Sequence, residues 1–241
     1  MMMEQHGKDS RKIILPNLVT TFGMLLGFLS IFSSLDGKMH EAGVYLFTSI
    51  ILDFIDGRVA RLTGTESDFG KEYDSLSDFL SFGVAPALFI YVFFLRSFGE
   101  IGIVLSFVYA ACTALRLARF NIQQPSTDGK NFIGLPCPMA AGSLISIALI
   151  FEMINTQGPM LILLLALLHA ILMISSLEFR SFKDIKIFPR LGLKEFLAFL
   201  IVILFLIFEP VLFFFSVTNL YIALGLAENF YSFLKKSWRT V

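Results

Sequence analysis

Hydrophobic and polar positions along this chain do not alternate; they segregate into long blocks. Apolar runs of bilayer-spanning length, for which about 20 residues suffice, are separated by short polar stretches. Such runs predict α-helices, because barrel strands would be shorter and would alternate. The blocks predict helix 1 over residues 14–35, helix 2 over 42–61 and helix 3 from about 71 to 95. Helix 4 follows over 101–120, helix 5 over 139–154 and helix 6 over 160–177. An apolar hairpin broken at Glu209-Pro210 adds helices 7 and 8. Pro16-Asn17 is expected to open helix 1, proline being at home in a first helical turn. Gly23 and Gly27 form a GxxxG pair that permits close helix packing.

Composition agrees with the blocks. Of 241 residues, 56% are hydrophobic and 16% charged, where a soluble domain carries about a quarter charged. The chain therefore reads as an all-α polytopic membrane protein. A signal peptide would have a shorter apolar region and a small-residue cleavage site, so residues 14–35 are expected to remain as a span. Formal net charge is zero, which gives no basic surface for a nucleic-acid partner. With eight transmembrane helices, 17 of the 19 Lys and Arg residues fall on one side and only Lys38 and Arg96 on the other. The positive-inside rule then places both termini in the cytosol, and the expected location is the cytoplasmic membrane. The basic stretch holding Arg180, Lys183, Lys186, Arg190 and Lys194 is expected to lie against anionic head groups.

Against this apolar background, the stretch from Asp53 to Asp78 is the exception. Asp53 and Asp56 are three apart and Asp74 and Asp78 four apart, so each pair shares a helix face. At the centre of a span each acid would cost roughly 2.5–3.5 kcal/mol, a cost that a helix-end position reduces and a bound cation offsets. Carboxylates without nearby His or Cys favour a hard divalent cation: Mg²⁺, Mn²⁺ or Ca²⁺. His6, His40 and His169 are scattered, and Cys112 and Cys137 have neither metal-ligand spacing nor a disulfide framework. Arg116 and Arg119 close helix 4 three residues apart, at the same cytosolic face as the acids. Metal and arginine beside small residues suit a diphosphate, and a fourth carboxylate could deprotonate an alcohol. Two other readings stand beside metal-assisted phosphoryl transfer. One is a solvated acidic loop, which fits Glu66, Asp68 and Glu72; the other is a cation-coupled transporter, which would need its acids near the midplane.

The pattern D-x2-D-G-x2-A-R-x8-G-x3-D-x3-D from Asp53 to Asp78 resembles the signature of the CDP-alcohol phosphotransferases at every fixed position. That resemblance implies a six-helix membrane core and transfer of a phosphatidyl-type group from a CDP-linked lipid to an alcohol, with release of CMP. It implies that Asp53, Asp56 and Asp74 bind the divalent metal. Asp78 would be the catalytic base and could also touch metal. Gly57, Ala60, Arg61, Ser67 and Gly70 would line the CDP pocket, with Asn17 nearby. Further stretches look like the phosphatidylserine-forming branch of that family: L-P-N-L-V-T at Leu15–Thr20, S-F-G-V-A-P at Ser81–Pro86, A-L-R-L-A-R-F-N at Ala114–Asn121 and F-I-G-L-P-C-P-M-A-A at Phe132–Ala141. The expected substrates are CDP-diacylglycerol and L-serine, and the expected assembly is a homodimer in the lipid bilayer. Arg116 and Arg119 would hold the serine carboxylate, the diphosphate, or one each. Acceptors bearing a phosphate dianion, glycerol phosphate or inositol phosphate, are the nearest rivals and should need a denser basic pocket. The chain then divides into a cytosolic tail (1–13), the six-helix core (14–178), a basic linker (179–193), the extra hairpin (194–234) and a basic tail (235–241), with no chemistry assigned to the hairpin.

Overall fold

A computed structural model of the chain describes residues 2–64, 67–123, 131–156, 158–181 and 193–239. The first helix, α1 (Met2–Leu35), is one piece, so the polar N-terminal stretch runs without a break into the first span. Pro16 therefore lies inside α1 and does not open it. The residues before it, rich in Met, Glu, Gln, Lys and Arg, are good helix formers, and a membrane helix tolerates an internal proline. α2 (Met39–Thr63) returns antiparallel to α1 after a tight turn in which Lys38 N–H donates to Ser33 O at 2.8 Å.

The third predicted helix is a continuous helical run, Asp68–Phe98, but not a uniform one. It consists of α3 (Asp68–Asp78), a π-helical turn (Phe79–Val84), α4 (Ala85–Ile90), a second π turn (Tyr91–Leu95) and a closing 3₁₀ turn (Arg96–Phe98). In the first π turn Ala85 N–H reaches back to Leu80 O, just before Pro86, which has no N–H to give. Each residue inserted this way rotates the remainder of the helix by about 100°. Asp74 and Asp78 can thus face one direction while Phe82, Ala85 and Phe89 enter the core.

α5 (Glu100–Gln123), α6 (Cys137–Met153) and α7 (Pro159–Ile174) complete the central bundle. α6 is buried along most of its length, and its small residues Ala140, Ala141, Gly142 and Ser143 let neighbours approach from several sides. α7 ends three residues earlier than its hydropathy suggested, because the chain turns extended at Ser175 and enters a strand. That strand, β2 (Glu178–Arg180), pairs antiparallel with β1 (Asn131–Ile133), placing Phe132 opposite Phe179. This small ladder, in what the sequence offered only as loop, is the one departure from all-α structure among the described residues.

α8 (Leu193–Phe208) and α9 (Pro210–Arg239) form the C-terminal hairpin. α9 packs on the core: Phe214 stacks on Phe47 at 4.2 Å, and Ser143 Oγ donates to Asn219 Oδ1 at 2.9 Å. α8 leaves most of its Leu, Ile and Phe side chains on the outside, as a helix facing lipid does. Four helical stretches are long and apolar enough to cross a bilayer: Pro16–Leu35, Asp68–Phe98, Glu100–Ile122 and Pro210–Lys235. Shorter apolar helices lie at Cys137–Met153, Pro159–Ile174 and Leu197–Phe208. The architecture is that of an α-helical membrane protein.

Candidate metal and substrate site

The acids in the C-terminal half of α2 and those on α3 meet although their pairs are separated by the 57–73 segment. Asp53, Asp56 and Asp74 each offer one oxygen, and the three oxygens lie within 4.8 Å of one another. Asp56 is buried and the other two half-buried. The Thr20 hydroxyl on α1 donates to Asp56 Oδ2 at 2.8 Å, which fixes the orientation of that carboxylate. Asp78 is not one of the three; its carboxyl stands beside that of Asp53.

α1 is the template that brings α3 to α2. Tyr73 OH and Thr21 Oγ1 are 2.8 Å apart, Ser77 Oγ donates to Thr20 O at 3.3 Å, and Ser81 Oγ reaches Gly23 O at 3.5 Å. Gly27 makes this approach possible, since a Cβ there would sit 2.9 Å from Ser81 Cα and 2.5 Å from its Oγ. Ser67 caps the start of α3, its Oγ accepting from Gly70 N–H at 3.0 Å. A Cβ on Gly70 would stand 3.1 Å from Ser67 Oγ and 3.7 Å from Asn17 Oδ1, so three of the residues expected at a nucleotide pocket converge. Gly57 sits half-buried one turn after Asp53. Ala60 and Arg61 follow on α2, but their side chains lie outside the described residues.

The two arginines, equivalent in the sequence, are divided by the fold. Arg119 donates to four carbonyls: from Nη1 to Ile174 O at 2.9 Å, and from Nη2 to Met173 O at 3.0 Å, Ser175 O at 3.0 Å and Ile133 O at 3.1 Å. It caps the C-terminus of α7, whose last carbonyls have no helical partner, and ties them to β1. Arg116 is only 6% exposed, and its Nε has no partner among the described residues. Its Nη1 lies 3.7 Å from Cys137 Sγ, and its guanidinium is bracketed by Phe120 at 5.2 Å and Phe132 at 6.0 Å. It also stands within electrostatic range of Asp53. A buried donor left unanswered costs stability unless a bound group satisfies it, so the free donor capacity of this pair resides on Arg116.

Three contributors carry little or no signal in the sequence. Thr20 lies in the Leu15–Thr20 stretch, three residues after Asn17 on the same helix, and that spacing was its available signal. Cys137, whose spacing gave it no chemistry, is the buried first residue of α6 and touches Arg116. Phe132 enters only because the β-ladder folds it back, which no local pattern announces.

Three carboxylate oxygens this close, with no nitrogen or sulfur among them, match the donor set and span of a hard cation coordinated at about 2.0–2.6 Å. A fourth carboxyl and a buried guanidinium border them, leaving a site able to clamp a diphosphate and to take a proton beside it.

A family model described as CDP-alcohol phosphatidyltransferase matches residues 13–182. A Helicobacter pylori protein named CDP-diacylglycerol–serine O-phosphatidyltransferase is 39% identical over 176 residues, covering 72% of this chain and 74% of its own. A Bacillus subtilis protein of the same name is 36% identical over 169 residues, 70% of this chain and 91% of its own. A Methanothermobacter thermautotrophicus protein named archaetidylserine synthase is 38% identical over 169 residues, 69% of this chain and 70% of its own.

Proposed function

The chain belongs to the CDP-alcohol phosphatidyltransferase family, and from that premise we propose that it is a CDP-diacylglycerol–serine O-phosphatidyltransferase. The serine hydroxyl attacks the phosphorus that carries the diacylglycerol; a new P–O bond forms, the bond to CMP breaks, and the hydroxyl proton leaves. The products are phosphatidylserine and CMP.

Asp53, Asp56 and Asp74 would hold a divalent cation, Mg²⁺ or Mn²⁺ with Ca²⁺ as the alternative, and their mutual spacing supports this assignment. When bound, such an ion supplies Lewis-acid neutralisation of the diphosphate oxygens. Asp78, one turn beyond Asp74 and beside Asp53, is the base that receives the serine proton. Asn17, Gly57, Ser67 and Gly70, together with Ala60 and Arg61, form the cytidine side, where small residues admit a flat base and a sugar.

The observation that carries the choice of acceptor is the unequal employment of the two arginines. Arg119 is committed to carbonyls, which leaves Arg116 as the one guanidinium of the pair free to meet the acceptor. One guanidinium suits a carboxylate monoanion better than a phosphate dianion, which calls for more donors. This favours serine over glycerol phosphate or inositol phosphate.

We further propose eight spans with both termini and the active site at the cytosolic face of the cytoplasmic membrane, supported by the 17-to-2 division of basic residues. The direct test of the reaction is CMP release from CDP-diacylglycerol by the purified protein with a panel of alcohols. Serine should be required. Equal release with a phosphorylated alcohol, or release independent of any acceptor, would overturn the assignment.

A further inference from the structure

α9 lies beyond residue 182, where the family match ends, yet it grips the ladder that reaches Arg116. The Asn229 amide closes on the backbone of Glu178 as a neighbouring strand would. Its Nδ2 donates to Glu178 O at 2.7 Å, and its Oδ1 accepts from Glu178 N–H at 3.1 Å. A second Nδ2 bond to Gly225 O, at 2.7 Å, fixes which way the amide points. On the next residue, the buried Phe179 ring packs against Gly225, where a Cβ would come within 2.4 Å of the ring, and beside Tyr221. At Arg180 the side chain pairs with Glu228 through two contacts of 2.8 and 3.0 Å, and Tyr221 OH donates to the carbonyl at 2.9 Å. Three consecutive residues of β2 are thus held by one helix.

The grip continues inward. Phe179 is the register partner of Phe132, and the Phe132 ring stands against the Arg116 guanidinium with Phe120 on another side. Aromatic faces beside a guanidinium attract it and keep water off, and a partly dehydrated guanidinium binds a carboxylate more firmly than a hydrated one.

We propose that α9 is a positioning element of the acceptor pocket: Asn229, acting through β2 and β1, holds Phe132 against Arg116 and so sets the affinity for the acceptor's carboxylate. This rests on the assignment of Arg116 to the acceptor. It gives the C-terminal hairpin, which contributes no reacting group, a role in serine recognition.

Steady-state kinetics of the full-length protein in detergent tests it. Asn229→Ala should raise KM for serine about three- to tenfold, the size of effect expected for one modest hydrogen-bonded contact, while kcat and KM for CDP-diacylglycerol stay within about twofold. Phe132→Leu should give a similar shift, and the double variant should be no worse than the larger single one, since both act along one line. With serinamide, which lacks the carboxylate, Asn229→Ala should leave KM unchanged. A purely structural role would instead lower the active fraction, reducing kcat for both acceptors alike, and that result overturns the proposal. If Asn229→Ala does not fold, Tyr221→Phe, which removes only a hydroxyl from the same grip, should raise serine KM in the same selective way; an unchanged KM in that variant overturns the proposal as well. Arg116→Ala separates the two layers. Should it raise serine KM while Asn229→Ala does not, α9 has no part in recognition but the pocket assignment stands. Should it leave serine KM unaltered, both fall.

Discussion

Asp56 lies almost wholly inside a membrane-type fold and, among the described residues, accepts only a threonine hydroxyl and a backbone contact, too little to balance a buried charge. A cation shared with Asp53 and Asp74 answers that need. Each of Asp53→Asn, Asp56→Asn and Asp74→Asn is therefore expected to abolish metal-dependent turnover. The folded protein should also lose the rise in Tm that Mg²⁺ or Mn²⁺ gives the parent, a rise worth about 2.7 kcal/mol at a hundredfold excess over Kd. Thermal denaturation with and without a chelator measures it, and two of the three variants retaining the parent's metal-dependent Tm would refute the ligand set. Asp78→Asn should part company with these. If Asp78 is the base, kcat falls by about 10²–10⁴ while the metal-dependent Tm shift persists; loss of the shift would make Asp78 a ligand first. The arginines divide similarly. Arg119→Ala strips charge-assisted bonds from four carbonyls and should cost on the order of 3 kcal/mol of stability, read as a lowered Tm. Arg116→Ala should leave Tm nearly unchanged and act on serine KM.

Among the elements, the contact of α1 with the first π turn matters most, because Asp74 and Asp78 ride on the helix it positions. Gly23 and Gly27 look interchangeable in the sequence, but they face different neighbours. A methyl at Gly23 would find ordinary contacts at 3.7–3.9 Å with Leu52 and Ser49, whereas at Gly27 it would collide with Ser81. Gly27→Ala is therefore expected to destabilise by about 1–3 kcal/mol and to lower activity with it, while Gly23→Ala is tolerated. Equal tolerance of both, in Tm and in CMP release, would mean that α3 is not seated by this contact. The GxxxG spacing made close packing legible. That it packs against two different partners, α2 through Ser49 and the π turn through Ser81, was not. Nor was the π winding itself, since the apolar pattern from 71 to 95 is equally compatible with a regular helix and only crowding around Ser81 and Pro86 selects between them. The ladder escaped for another reason: three-residue strands carry too little pattern to be recognised, and they form here only because α7 stops short and α9 stands ready to hold β2.

For the molecule as a whole, the 17-to-2 division of basic residues leads to a sharp expectation. Single cysteines placed at Lys38 or Arg96, in a background without Cys112 and Cys137, should react with an impermeant reagent from outside sealed cells. Labelling of both from the cytosolic side only would reverse the eight-span topology. The membrane class, the approximate helix positions and the two acid pairs that the fold brings together were all legible in the chain, because each is a local property. Hydropathy is summed over a window, and residues three or four apart share a face on any helix. The family signature has the same character, being fixed residues at fixed spacing within 26 positions, from Asp53 to Asp78. Only tertiary structure decided the relations between distant segments. Local spacing could join Asp53 to Asp56 and Asp74 to Asp78, but the three-oxygen group draws on both pairs, and its membership depends on how α1 seats α3. Arg116 and Arg119 share a face and a charge; the carbonyls that occupy one and spare the other come from β1 and from the end of α7, 54 residues further along the chain at Met173. The use of α9 rests likewise on contacts from Asn229 to Glu178, 51 residues apart. A helix face can be read from its own residues, but the partner that satisfies a buried polar group is chosen by packing, and packing is settled only when all the helices are in place.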